Sequence, residues 1–130
     1  MYKPPRRPQD EYRAKARQQV QAAPTLAARF PTLTALAMEL TFRNAATPVF
    51  DRELKQIVNL ANAKSVLHIQ CSNPDCFRGD FNLTDELAKA VADRQRSING
   101  NRPCRGWSTT GMTNQKRCQT VLRYKLTLKY

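Results

Sequence analysis

The most regular alternation along the chain is at its C-terminal end. Leu122, Tyr124, Leu126, Leu128 and Tyr130 interleave with Arg123, Lys125, Thr127 and Lys129, and a two-residue period places one set on each side of a β-strand. One side is apolar and the other basic. Leu36, Met38, Leu40 and Phe42 alternate in the same way with Ala37, Glu39, Thr41 and Arg43, which predicts a second strand with one buried face. Over 65–71, Leu67, Ile69 and Cys71 share one face and Val66, His68 and Gln70 the other, a third strand rich in β-favouring residues. Leu54, Ile57, Val58 and Ala61 suit a strand or a helix. A strand is expected there, because short antiparallel neighbours pair economically. A further short strand is expected over 98–104.

Two stretches carry helical signals. Residues 9–23 are helix formers, with Asp10 and Glu11 near the start and Pro24 as a stop. Their apolar stripe of Tyr12, Ala16, Val20 and Ala23 is thin, and Arg13, Lys15 and Arg17 lie opposite it. The second helix follows Thr84, the expected N-cap, with Asp85 and Glu86 in the first turn where the helix dipole favours negative charge. Leu87, Ala90, Val91 and Arg94 share a face, and the pattern fades near residue 96. Residues 1–8 form a basic, proline-rich arm with almost nothing apolar to bury, and 24–32, between Pro24 and Pro31, reads as a linker. The expected fold is α+β: an antiparallel sheet of four to five strands with one covering helix, preceded by a basic N-terminal helix. The expected division is an arm, helix and linker over 1–32 and a packed domain over 33–130.

Four cysteines add a constraint. Cys71 and Cys76 enclose four residues, including the turn-forming Pro74, within the roughly two-to-four range of a zinc knuckle. Cys104 and Cys118 enclose thirteen, a looser pair than a two-knuckle ribbon uses. Four thiolates around one zinc ion form a closed structural site. Two disulfides in any of three connectivities, or unrelated buried cysteines, are the alternatives. The first residues lack the apolar run of a secretory signal, so a reducing, cytoplasmic setting is expected and favours zinc over disulfides. His68, the one histidine, falls on the strand face opposite Cys71 and is expected to serve the sheet surface rather than the metal.

Charge suggests the partner. The net charge is +12, a balance that draws polyanions. Residues 97–130 hold seven basic residues and no acidic one, whereas 71–96 hold four basic and five acidic. Three basic surfaces are therefore candidates for nucleic-acid contact. They are the arm and first helix (Arg6, Arg7, Arg13, Lys15, Arg17), the loop around Arg105, Trp107, Lys116 and Arg117, and the polar side of the last strand (Arg123, Lys125, Lys129). Trp107 has the chemistry to stack on an unpaired base. It equally suits a cap over the metal, with Arg78, Arg105 and Arg117 offsetting the formal charge of four thiolates. No phosphate loop, histidine-rich metal set or serine motif paired with a base is present, so no enzymatic activity, small-molecule substrate or membrane span is expected.

The Cys71–Cys76 knuckle, the Gly79-Asp80-Phe81-Asn82-Leu83 run, the Cys104-Arg105-Gly106-Trp107 segment and the strand from Cys118 to Tyr130 together resemble small bacterial zinc-ribbon-like proteins of unassigned function. The resemblance covers roughly 33–130. It implies a zinc-stapled fold and a bacterial origin, and supplies no activity. The expected function is a zinc-binding module that binds nucleic acid, with RNA or a ribonucleoprotein favoured because no groove-reading helix is evident. Its alternatives are an accessory subunit of a large protein assembly and a zinc or redox sensor.

Overall fold

A computed structural model describes residues 8–73, 76–77, 79–108 and 116–130. Its core is a four-stranded antiparallel sheet of β1 (Ala35–Asn44), β2 (Arg52–Val58), β6 (Ser97–Pro103) and β9 (Thr120–Lys129), in the spatial order β2-β1-β9-β6. The two most strictly alternating segments, β1 and β9, are its central pair, in register from Ala35 opposite Lys129 to Asn44 opposite Thr120. On the inner face Leu36, Phe42, Leu122, Leu126 and Leu128 are all but inaccessible to solvent. The expected strand around Leu54 is β2, and the polar run at 97–103 is β6, on opposite edges.

One layer covers the inner face. Helix α3 (Thr84–Ala92) sets Leu87 and Ala90 into the core, and its C-terminal end is tied to β9 where the Tyr130 hydroxyl donates to the carbonyls of Gln95 and Ala90. Thr84 does not cap this helix. Leu83 holds the N-cap position, and the Thr84 hydroxyl accepts from the Leu67 amide instead, docking the preceding segment.

The stretch read as a linker belongs to the core. Thr25 caps a single helical turn, α2 (Leu26–Arg29), whose Leu26 is fully buried, and Phe30 follows it inward. Pro24 and Pro31 bracket that turn; they do not mark flexible chain. The amides of Leu26 and Ala27 donate to the carbonyls of Ala63 and Leu60, joining this region to the chain after β2. Ahead of it, helix α1 (Pro8–Ala22) spans the predicted stretch.

The strand expected over 65–71 is also different. Only β3 (His68–Ile69) forms, and it pairs with β5 (Phe81–Asn82) outside the main sheet. Leu67 and Cys71 face inward as their alternation requires, but Cys71 is drawn away to the cysteine cluster, so the ladder stops. A third small sheet, β4 (Cys76–Phe77), β7 (Trp107–Ser108) and β8 (Lys116–Arg117), occupies part of the expected polar loop. Two-residue strands cannot hold themselves together, so this lobe needs another anchor.

The outer face of the sheet is covered by no described element. Three cross-strand rows lie on it: Lys55, Glu39, Lys125 and Asn99 in one, Glu53, Thr41, Arg123 and Asn101 on one side of it, and Ile57, Ala37, Thr127 and Ser97 on the other. The two faces should respond differently to truncation. Leu126→Ala removes a fully buried side chain and should cost about 3 kcal/mol, whereas Lys125→Ala, one residue away on the outer face, should stay within about 0.5 kcal/mol. Urea unfolding of both variants measures the difference, and equal losses would contradict the register.

Candidate metal centre

The anchor is at one end of the sheet. Cys104 follows directly on β6 and Cys118 lies two residues before β9, so adjacent strands deliver these two sulfurs together. The Cys104 amide donates to the Thr120 carbonyl and the Cys118 amide to the Gly106 carbonyl. Cys71 lies two residues after β3, and Cys76 opens β4. All four side chains are buried, and the four sulfurs lie within 4.8 Å of one another. Cys71 Sγ is 3.8 Å from Cys118 Sγ, and Cys76 Sγ is 3.4 Å from Cys104 Sγ. A disulfide brings sulfurs to about 2 Å, and all four cysteines are free thiols. Four sulfurs at about 2.3 Å around one tetrahedral ion would stand roughly 3.8 Å apart. The cluster therefore has the dimensions of a metal site, and a tetrahedral all-sulfur set suits zinc or iron.

The backbone is shaped to that cluster. A Cβ added to Gly106 would come within 2.5 Å of Cys76 Sγ and 2.6 Å of Gly79 Cα, and one added to Gly79 within 2.5 Å of Cys104 Sγ. Two glycines thus let both chain passes lie against the sulfurs. The Asn73 side-chain amide donates to Cys118 Sγ at 3.7 Å, and the Thr120 hydroxyl is 3.4 Å from the same sulfur. Charge cannot spread evenly over four clustered thiols. The Cys118 thiol is held far below its ordinary value, first by its hydrogen bond with Cys104, and Cys76 and Cys71 are pushed far above theirs, first through Cys104 as well. A bound cation removes that conflict by accepting all four as thiolates.

Beside the cluster is a buried carboxylate that the spacing of residues does not announce. Asp80 takes a positive φ of 59°, a conformation Asp tolerates better than most residues, and this turns its side chain inward. Oδ1 accepts from the Cys71 amide at 2.8 Å and from Arg13 Nη2 at 3.3 Å; Oδ2 faces His68 Nε2 at 3.2 Å and Arg13 Nε at 3.4 Å. Burial alone would raise this carboxyl; the bonds from His68, Cys71 and Arg13 outweigh it and hold it below its usual range. Arg13 Nη2 also reaches the Asn73 carbonyl at 3.4 Å. Arg13 and Asp80 are sixty-seven residues apart in sequence, and their side chains are 8% and 1% exposed.

The expected nucleic-acid residues therefore divide. Arg13 is removed from the set, because its guanidinium is buried against Asp80 and clamps α1 to the metal lobe. Lys15 and Arg17 are exposed on α1. Arg6, Arg7 and Arg78 lie outside the described residues, and Lys116 is described only through its backbone pairing with Ser108. Arg117 lies over the Trp107 ring at 4.1 Å from its centroid and donates to the Arg105 carbonyl at 2.7 Å, so one face of the indole already carries a cation. Arg105 is exposed next to Cys104. Arg123, Lys125 and Lys129 stand exposed on the outer face of β9. His68 is part-buried on Asp80 rather than displayed on a sheet surface, and it is absent from the sulfur cluster. Sequence reasoning missed Asp80, Asn73 and Gly106 as supports of the site. Among the described residues no helix is long and apolar enough to cross a membrane.

Comparison with protein-family models, with curated proteins and with solved structures finds no match to the chain.

Two outcomes test the centre. Cys71→Ser should collapse the metal lobe and lower stability by several kcal/mol, since binding energy here is folding energy; a melting curve equal to wild type would contradict a structural ion. Removing the metal with a chelator should also loosen α1, because Asn73 and Asp80 hold Arg13 only while the knuckle keeps its shape. Hydrogen exchange should rise across 10–22 on chelation, and Arg13→Ala should reproduce that rise with the metal still bound. Unchanged protection in both cases would disconnect α1 from the centre.

Proposed function

We infer that this protein is a non-enzymatic zinc-binding module that binds nucleic acid, RNA or a ribonucleoprotein in preference to duplex DNA. Zinc suits the four-thiolate set because the closed, buried site asks for an ion without redox chemistry, and four sulfurs leave no open coordination position for catalysis. The observation that carries the nucleic-acid reading is the outer side of β9. Arg123, Lys125 and Lys129 project from one strand with no acidic partner within 4.0 Å among the described residues. The acids of the same face are already engaged: Glu39 of β1, which stands opposite both Lys125 and Lys55, pairs with Lys55 at 3.8 Å, and Glu53 of β2 pairs with Arg43 at 3.1 Å. Such exposed pairs contribute little to stability, but they separate the face into a self-neutralised half and a cationic half. Lys15, Arg17 and Arg105 are further exposed cations, and a polyanion gains affinity by displacing counterions from such groups.

A second reading, docking to a protein assembly, is favoured by β2. This edge strand pairs on one side only and exposes Leu54 and Ile57, the latter at 89%, the kind of edge that accepts an added strand.

Changing Arg123, Lys125 and Lys129 together to Ala should leave the melting temperature unaltered and weaken binding to a mixed-sequence RNA tenfold or more at low salt. The slope of log affinity against log salt should flatten by about two, as expected for three lost contacts with a single strand. Fluorescence anisotropy across a salt series reads both quantities. Unaltered affinity would remove β9 from the interface, and wild-type protein that ignores RNA at low salt would remove the nucleic-acid reading.

A further inference from the structure

We propose that the outer half-sheet made by β9 and β6 is a track for one unpaired nucleic-acid strand, with phosphates along β9 and bases turned over β6, where Asn99 and Asn101 read their edges. The proposal rests on the nucleic-acid reading above and adds the form of the ligand, its direction across the sheet and the residues that choose among bases.

The register supplies the geometry. Asn99 is directly opposite Lys125, and Asn101 directly opposite Arg123, so each cation has an amide beside it on the neighbouring strand, about 4.8 Å away in the direction of the backbone hydrogen bonds. Alternate residues of one strand repeat at about 6.8 Å, which gives Arg123 and Lys125 the spacing to hold consecutive phosphates of an extended strand. Both asparagines are exposed and no described residue hydrogen-bonds to either side chain. Neither asparagine is a good strand former, so the edge strand gains nothing from them in pairing. Gly100 between them is required for the inner face, since an added Cβ would come within 2.7 Å of the Tyr124 hydroxyl oxygen. A shallow depression of about 430 Å³, lined by Asn99, Asn101, Arg123 and Lys125 together with Glu39 and Thr41 of β1, lies over this part of the sheet. That volume is in the range of sites that take small organic groups, enough for a nucleotide unit.

The ligand is single-stranded for chemical reasons. An asparagine carboxamide recognises a base through paired donor and acceptor atoms, and adenine offers the matching pair on its edge. In a duplex those edges lie within grooves that a flat sheet face and short side chains do not enter, whereas unpaired bases can turn toward a surface. The half-sheet carries no exposed aromatic ring among its described residues, so selection here is by hydrogen bonding rather than stacking. The charge of the track fits a polyanion, because its β9 and β6 positions include cations and amides and no carboxylate.

The test uses the zinc-loaded full chain and labelled eight-nucleotide homopolymers of adenine, cytosine and uracil or thymine, as RNA and as DNA, with a duplex of the same length. Unlabelled acidic peptide of equal charge is the competitor. Adenine strands should bind at least fivefold tighter than pyrimidine strands and than duplex. Asn99→Ala with Asn101→Ala should abolish that preference while changing pyrimidine affinity less than twofold and leaving the salt slope intact. The same adenine preference in either sugar series supports the track, and the tighter series names RNA or DNA as its source. Binding that is equal for all bases, equal for duplex, or unaffected by the asparagine changes overturns the track and leaves the nucleic-acid reading standing. Displacement by the acidic peptide as readily as by adenine strands overturns it in favour of a protein ligand. If no oligonucleotide binds at low salt, the broader reading falls, and the track with it. Arg43→Ala, on the self-neutralised half of the same face, serves as the control and should alter none of these ratios.

Discussion

Four sulfurs gathered within 4.8 Å, each cysteine 5% exposed or less, impose the constraint from which the other features follow. Four thiols so close cannot all ionise without a cation, and without ionisation they are weak hydrogen-bonding groups that hold little together. With a cation they become the strongest cross-link in the molecule. Structural zinc contributes on the order of 10 kcal/mol in small domains, comparable to the whole stability of an ordinary fold. The strands described in this lobe are two residues long, so a bound ion would take the place of a core there. The main sheet, with its fully buried leucines, has no such need.

The buried pair of Arg13 and Asp80 extends this constraint to the N-terminal helix. Such pairs rarely add net stability over apolar packing, but breaking one strands a buried charge. Their use here is positional. The thin apolar stripe on α1 would hold it loosely, and one guanidinium fixed between a carboxylate and the Asn73 carbonyl gives the helix a single seat. Because Asn73 lies within the Cys71–Cys76 knuckle and Asp80 accepts from the Cys71 amide, that seat depends on the knuckle being formed. The exposed Lys15 and Arg17 are thereby carried in a fixed relation to the metal lobe.

How much of this the chain discloses depends on the range of each interaction. The strands β1 and β9 were legible because burial of one sheet face writes itself into every second residue from Leu36 to Phe42 and from Leu122 to Leu128. The four cysteines were legible as a set because the spacing of Cys71 and Cys76 suits a metal knuckle and leaves two further thiols to complete it. The segment at 65–71 misled because its alternation is genuine, yet Cys71 serves the cluster and the pairing ends after two residues. Residues 24–32 misled because Pro24 and Pro31 signal chain breaks, which hides Leu26 and Phe30 between them. Arg13 could not be distinguished from Lys15 and Arg17 by any local pattern: its partner is sixty-seven residues away, and a long cationic side chain is buried only where a distant carboxylate meets it. Asp80 was concealed for the same reason.

The metal site and the outer face of the sheet are joined by the same two strands. β6 runs into Cys104 and β9 begins just after Cys118, so the ion fixes one end of the strand pair whose outer side bears Asn99, Asn101, Arg123 and Lys125. A divalent ion with four thiolates carries a formal charge of −2, which would repel a polyanion nearby. Two features keep it from doing so. Arg105 and Arg117 lie next to the ligand cysteines and offset the charge locally, and Arg123 is five residues beyond Cys118, roughly 17 Å along an extended strand. That separation exceeds the screening length of about 8 Å at physiological salt. On that reading, the cations nearest the sulfurs would serve a bound metal, and those farther along β9 would stay available to a ligand. A β9 with Arg123 two or three residues nearer Cys118, or a cluster placed midway along the sheet, would have set the two charges against each other.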